Sequence, residues 1–229
     1  MFYSHKPNPF GGQTQNFRFL EILKRILSVG VPSGIQGSVF SLANIVVQSS
    51  INSFGADVVA GNAAAQNIDS FVYIAMNAFC TATTTIVGQN IGARKGKRVD
   101  KVLLEGTFLV SLVGIVTSCC LFFFGEHLIK LYCPNSPIAM EYAKIRLVYI
   151  CMPYFLCGIM EVLMGALRAC GYAIYTMTIS IVVCCGFRII WLMTVFKAVR
   201  TIQSIYIVFL ISWIICIISF MENTIFQIF

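Results

Sequence analysis

Long apolar runs dominate the chain, and the polar residues inside them recur at helical spacing. A transmembrane helix needs roughly 20 mostly apolar residues to cross a core of ~30 Å. Six segments meet that length: about Leu27 to Asn52, Val59 to Gly88, Val102 to Gly125, a stretch after Pro137 reaching Arg168, Ile174 to Phe196, and Ile205 to Glu222. Membrane-spanning strands would instead alternate over roughly ten residues between turns. The pattern therefore predicts an all-α integral membrane protein with six transmembrane helices. Its organisation reads as a polar segment, residues 1–20, followed by a six-helix membrane unit, residues 21–224. Pro7, Pro9, Gly11 and Gly12 at the start, with no early apolar stretch, argue against a cleaved signal peptide.

Two spans carry polar stripes. In the first, Gly34, Gly37, Ser41, Asn44, Gln48 and Asn52 step by three and four, which places them on one helical face. In the second, Asn62, Gln66, Asp69, Tyr73, Asn77, Cys80 and Thr84 do the same and lead on to Gln89 and Asn90. Hydrocarbon offers an amide no partner, so both faces must meet other helices or a wet cavity. Two long stripes on consecutive helices favour a cavity wall over scattered interhelical bonds. Gly30, Gly34 and Gly37 are expected to admit a close helix neighbour. Pro32 removes a backbone bond and is expected to bend the first span near its start.

Three ionisable residues lie well inside spans: Asp69, Glu161 and Arg188. Such residues mark function or structural ion pairs. Counting from the span ends at 1.5 Å per residue, Asp69 lies roughly 15 Å deep from one face and Arg188 about 9 Å from the same face. An arginine side chain reaches across that difference, so an Asp69–Arg188 pair is expected. Glu161 lies roughly 10 Å from the opposite face with no cation at its depth, and is the candidate proton carrier. Pro153, two turns before it, is expected to kink the fourth span. Glu141, Lys144 and Arg146 suggest that this span begins with an interfacial portion.

Composition narrows the class. The chain is 58% hydrophobic and 11% charged, against roughly 25% charged in ordinary soluble domains. Its mean hydropathy is +0.84. Soluble enzyme, nucleic-acid-binding and disordered classes are excluded on this ground. Lys and Arg divide ten to five between the two sides of a six-span arrangement, which predicts both termini in the cytoplasm of a cell-membrane protein. The run Arg94 to Arg98 contributes most, as a topology determinant or an anionic-lipid contact. Nine of the ten cysteines lie within or at the end of apolar runs and read as small buried hydrophobes. No Cys/His ligand spacing, Walker loop, GxSxG, HExxH or dinucleotide fingerprint is present, so no metal site, cofactor or enzymatic activity is expected.

Five short motifs stand in a telling order: GlyValProSerGlyIleGln at Gly30–Gln36, AsnIleAspSerPhe at Asn67–Phe71, ValGlyGlnAsnIleGlyAla at Val87–Ala93, GlyAlaLeuArg at Gly165–Arg168 and ArgIleIleTrp at Arg188–Trp191. Together they resemble the multidrug and toxic compound extrusion (MATE) family, and more narrowly its second six-helix half, from about Phe19 to Phe220. The resemblance implies one lobe of a twelve-helix, pseudo-two-fold transporter. It also implies exchange of H⁺ or Na⁺ for small organic, often cationic, compounds through a cavity between lobes. The implied partners are membrane lipids, such substrates, and a complementary six-helix lobe or a second copy. On this reading residues 1–16 resemble the linker that joins two lobes, and the sequence looks like a fragment, a truncated frame or half of a split protein. Gln36, closing the first motif, joins Ser41, Asn44, Gln48, Gln66, Asp69, Tyr73, Asn77, Glu161 and Arg188 as candidate substrate- or ion-pathway residues. Two departures stand out. Leu167-Arg168-Ala169 replaces the Leu-Arg-Gly of many relatives. Cys157 occupies the position where sodium-coupled relatives carry an acid, and Glu161 lies one turn further on, so the choice between H⁺ and Na⁺ stays open. Two other readings are a remnant or accessory membrane protein without transport, and half of a lipid-linked-sugar flippase. A flippase cavity should carry several cations for pyrophosphate, whereas only Arg188 is read as lying in a span.

Overall fold

The computed structural model describes the backbone of residues 11–134 and 136–228, and side chains over 19–134 and 136–222. Most of the linker-like segment, including Pro7 and Pro9, lies outside the described residues. Its last part is already helical. The helices are α1 (Gly11–Asn52), α2 (Ala56–Gly92), α3 (Gly96–Tyr132), α4 (Pro137–Arg146), α5 (Tyr154–Ala169), α6 (Ala173–Ile179), α7 (Arg188–Met193), α8 (Val195–Ala198) and α9 (Ile202–Ile228). A π-helical turn, Leu147–Cys151, extends α4, and a second π-helical stretch, Ser180–Phe187, joins α6 to α7. No strand occurs among the described residues.

These elements form the six expected spans. Five are helices or helical runs long and apolar enough to cross a membrane, and the sixth is the pair Pro137–Cys151 and Tyr154–Ala169, bent by 43°. The bend falls at Met152–Pro153, where Pro153 was expected to kink the fourth span. At the break the carbonyl of Cys151 accepts a hydrogen bond from Ser118 Oγ at 2.6 Å, a protein partner where lipid offers none. The helices outrun the apolar segments. At 37 residues each, α2 and α3 are about 55 Å long. Apolar content marks where hydrocarbon ends, while backbone hydrogen bonding carries the helix on into water. Glycines with positive φ, Gly55 and Gly171, open the turns before α2 and after α5. Ser136 caps α4 by accepting from the Ala139 N–H, with Pro137 at the first helical position.

α5 is the central helix. It is buried nearly all round, through Tyr154, Cys157, Met160 and the run Val162–Leu167, as expected of a helix enclosed by others. Glycines let its neighbours approach. A Cβ on Gly158 would stand 2.8 Å from Val110 of α3, and one on Gly114 of α3 would stand 2.8 Å from the Phe155 backbone. Gly61 of α2 lies against the backbone carbonyl of Ala139 in α4. Gly30, Gly34 and Gly37, expected to do this, have nothing within 4 Å of a built Cβ among the described residues. Pro32 sits inside an uninterrupted helix. Outside the core the surface is apolar, with Leu104, Phe123 and Leu131 of α3 each more than 70% exposed. Such side chains suit lipid and not water.

Gly61 and Gly34 therefore predict opposite responses. Gly61→Ala forces α2 away from α4 and should cost about 1–3 kcal/mol, the usual range for overpacking, read as a lower melting temperature of the purified chain. Gly34→Ala should leave the melting temperature unchanged.

Candidate functional site

The polar residues inside the membrane unit separate into a cavity and a closed cluster. The cavity, of about 540 Å³, is walled by α1, α2, α5, α7 and α9. Of the ten candidate pathway residues, Gln36, Asn44, Tyr73, Asn77, Glu161 and Arg188 line it. α1 contributes Asn44 from its polar stripe and Gln36 beside it, and α2 contributes Tyr73 and Asn77, one turn apart. α5 contributes Glu161 from the one face of the helix that is not buried in apolar packing. Among the described residues no hydrogen bond or ion pair reaches the Glu161 carboxylate. Arg188 is 3% exposed. Its Nε and Nη2 donate to Ser212 Oγ at 3.3 and 3.2 Å, and its guanidinium lies 4.1 Å from the Phe209 ring centroid.

One charged cavity residue escaped the sequence reading. Arg168, read there as the cytoplasmic end of the fourth span, turns inward from the last turn of α5. Its Nη2 donates to Gln36 Oε1 at 2.6 Å and to Met164 Sδ at 3.2 Å. The cavity thus holds two guanidiniums, where the sequence reading placed only Arg188 in a span. The signal was the pairing of motifs: Gln36 and Arg168 each end one of the five.

The second cluster overturns the expected Asp69–Arg188 pair. Asp69 Oδ2 accepts from Arg146 Nη2 at 3.0 Å, and its Oδ1 accepts from Cys151 Sγ at 3.1 Å. Arg146 Nη1 donates to Asn62 Oδ1 at 2.7 Å, which also accepts from the Tyr206 hydroxyl at 3.1 Å. Asn62 in turn donates to Gln48 Oε1 at 3.3 Å, and Gln48 to Asn52 Oδ1 at 2.9 Å. The cluster ties α1, α2, α4 and α9 together. Arg146 was read as interfacial because Glu141 and Lys144 share its segment. Those two are exposed, and Lys144 pairs with Glu126 at 3.0 Å. The depth arithmetic held the answer: nine residues from Pro137 put Arg146 about 14 Å in, level with Asp69 at roughly 15 Å. Asp69 and Gln48 thus belong to this cluster and not to the cavity. Ser41 and Gln66 belong to neither. Ser41 bonds the Gly37 carbonyl of its own helix, and Gln66 is exposed.

The MatE family model matches residues 32–194, which take in the cavity walls of α1, α2 and α5 as well as Arg188. The chain belongs to the MatE family. It is 31% identical over 157 residues to the probable multidrug resistance protein YpnP of Bacillus subtilis, covering 69% of this chain and 35% of that protein. It is 28% identical over 159 residues to the probable multidrug resistance protein NorM of Thermotoga maritima, covering 69% of this chain and 34% of that one. Its fold matches a MATE transporter of Vibrio cholerae with a TM-score of 0.81 at 18% identity, covering 92% of this chain and 48% of that one. A MOP superfamily transporter from Pyrococcus furiosus gives 0.79, also at 18% identity, over 86% and 43%. The chain thus spans about a third of the curated relatives it matches and under half of the solved transporters. By length and fold it corresponds to one six-helix membrane unit of the solved MATE transporters.

The cluster makes a sharp demand on stability. Asp69→Asn leaves Arg146 buried without its counter-charge and should cost about 3–5 kcal/mol, seen as a marked drop in folded protein in the membrane. Adding Arg146→Gln should restore much of it, whereas adding Arg188→Gln should restore none. Rescue by Arg188→Gln would reinstate the pairing first expected.

Proposed function

We propose that the chain forms half of the translocation pathway of a cation-coupled exporter of small organic compounds, with Glu161 as the carboxylate that binds the coupling ion. The observation that carries this reading is the state of Glu161. It faces a cavity at membrane depth, on the central helix, without a hydrogen-bonding or ionic partner among the described residues. A structural carboxylate in such a place would be neutralised, as Asp69 is. One left free is suited to bind and release an ion as access alternates. The 43° bend at Met152–Pro153 lies two turns before Glu161 and offers a hinge for that alternation. Counting Arg168 and Arg146 as interior takes one residue from each side of the Lys/Arg count, and the remaining excess supports cytoplasmic termini. The preference for organic cations that the family resemblance implies rests on Glu161 alone, against two guanidiniums on the same wall.

The test is efflux from membranes in which the chain is assembled with a complementary lobe, using a cationic and an anionic dye in parallel. Glu161→Gln should abolish efflux driven by a proton or sodium gradient while leaving protein level unchanged. Normal gradient-driven efflux by the variant would remove Glu161 from coupling.

Assembly follows from the surface. The amides Gln66 and Asn67 are exposed on α2 within a membrane-crossing stretch. Lipid does not satisfy such amides, so this face should be covered by a complementary lobe or a second copy. A photo-reactive residue at position 66 should crosslink to protein in native membrane, and one at position 123 on the phenylalanine-rich face of α3 should crosslink to lipid. The reverse pattern would place the interface elsewhere.

A further inference from the structure

A groove on the outside of the bundle, between α3 and α4, has a charged mouth and an apolar floor. Its walls are Leu121, Phe122 and Ile129 of α3 and Leu147, Val148 and Met152 of the run that links α4 to α5, around a volume of about 180 Å³. It opens sideways, because Phe122, Val148 and Met152 are exposed. From Lys144 at the mouth to Met152 it runs eight residues, roughly 12 Å. Its inner end reaches Ser118 and Cys151 at the 43° bend of the fourth span. Cys151 is the thiol that donates to Asp69, so the groove ends at the back of the Asp69–Arg146 cluster.

The mouth is built from three side chains. Glu126 accepts from Lys144 Nζ at 3.0 Å and from Lys130 Nζ at 3.2 Å, and all three are about half exposed. One carboxylate answers two ammoniums, so one positive charge is left over. Each ammonium carries three donors and has committed one of them to Glu126. The apolar run of α3 ends at Gly125, which puts this trio at the level of lipid headgroups. The surplus cation therefore stands directly over an apolar channel. α3 contains no Asn or Gln, so this side of the bundle lacks the amides that call for a protein neighbour on α2.

We propose that this groove is a binding site for an anionic glycerophospholipid. Its phosphodiester bridges Lys130 and Lys144, and one acyl chain lies along Phe122, Leu147 and Val148 as far as the bend. A single phosphodiester closes the charge count of the trio. A zwitterionic headgroup leaves that count open, because its own ammonium offsets its phosphate. A free phosphate answers the charge and leaves the apolar groove empty. The site is separate from the central cavity and does not depend on what that cavity carries.

The test reads which lipid occupies the groove. The full chain, with a photo-reactive residue in place of Val148, is reconstituted in phosphatidylcholine vesicles that contain equal minor shares of phosphatidylglycerol and phosphatidylethanolamine. Irradiation followed by mass spectrometry identifies the attached molecule. Phosphatidylglycerol should be enriched about fivefold over its share at position 148, one lysine near an anionic headgroup being worth that much. A photo-reactive residue at position 123, on the open face of α3, should capture lipids in their bulk ratio. Lys130→Gln combined with Lys144→Gln should return position 148 to the bulk ratio. Exposed ion pairs add little to stability, and lipid adducts retained at 148 show that the variant is still inserted. Glu126→Gln should move the ratio the other way, since it leaves both ammoniums without a carboxylate. Four outcomes overturn the proposal: the bulk ratio at position 148, enrichment of phosphatidylethanolamine there, attachment to protein in place of lipid, or an enrichment that survives the double lysine substitution.

Discussion

Two ionised groups at membrane depth, Asp69 and Arg146, govern how one end of the helix bundle is put together. Neither is tolerable alone in hydrocarbon, and each is supplied by a different helix. Their meeting at 3.0 Å therefore dictates where α4 lies along α2. The packing has been cut to suit that contact, because Gly61, about two turns before Asp69 on α2, lets the α4 backbone come directly against α2. The remaining hydrogen-bonding capacity is then filled outward, through Asn62 to Tyr206 of α9 and through Gln48 to α1. Buried polar networks of this kind are worth having only when nearly complete. Here Arg146 Nε alone lacks a partner.

The spans were legible because apolar length is a one-dimensional property. Hydrocarbon imposes it on each segment separately, and Pro153 marks its own kink whatever the neighbours do. The pairing of charges was not legible in the same way. It depends on which helix faces which, and two π-helical stretches shift that facing near the residues that matter. Leu147–Cys151 begins immediately after Arg146, and Ser180–Phe187 ends immediately before Arg188. A wider turn rotates everything beyond it away from the position that a 3.6-residue period assigns. Segment boundaries added a second error. Arg146 and Arg168 lie near the ends of their apolar runs, and a residue there is counted with a loop unless its depth is measured. The glycines failed for a related reason: a small-residue stripe on α1 shows that a neighbour can come close, and nothing in the stripe shows whether one does.

The bundle uses charge in two ways that depend on each other. At the end where α1 gives way to α2, charges are matched, buried and bonded, and they contribute order. In the cavity Glu161, Arg168 and Arg188 face a common space and are left without ionic partners, which costs stability and keeps them available to a ligand. α5 is where the two demands meet. Most of its circumference is locked by apolar side chains and by glycine contacts with α3, so the helix is held rigidly. The remaining strip carries Glu161 and Arg168. Glu161 and Arg168 are seven residues apart on this one helix, so about 10 Å of rise separates their backbones along the cavity wall, and the spacing of these opposite charges is set by the fold.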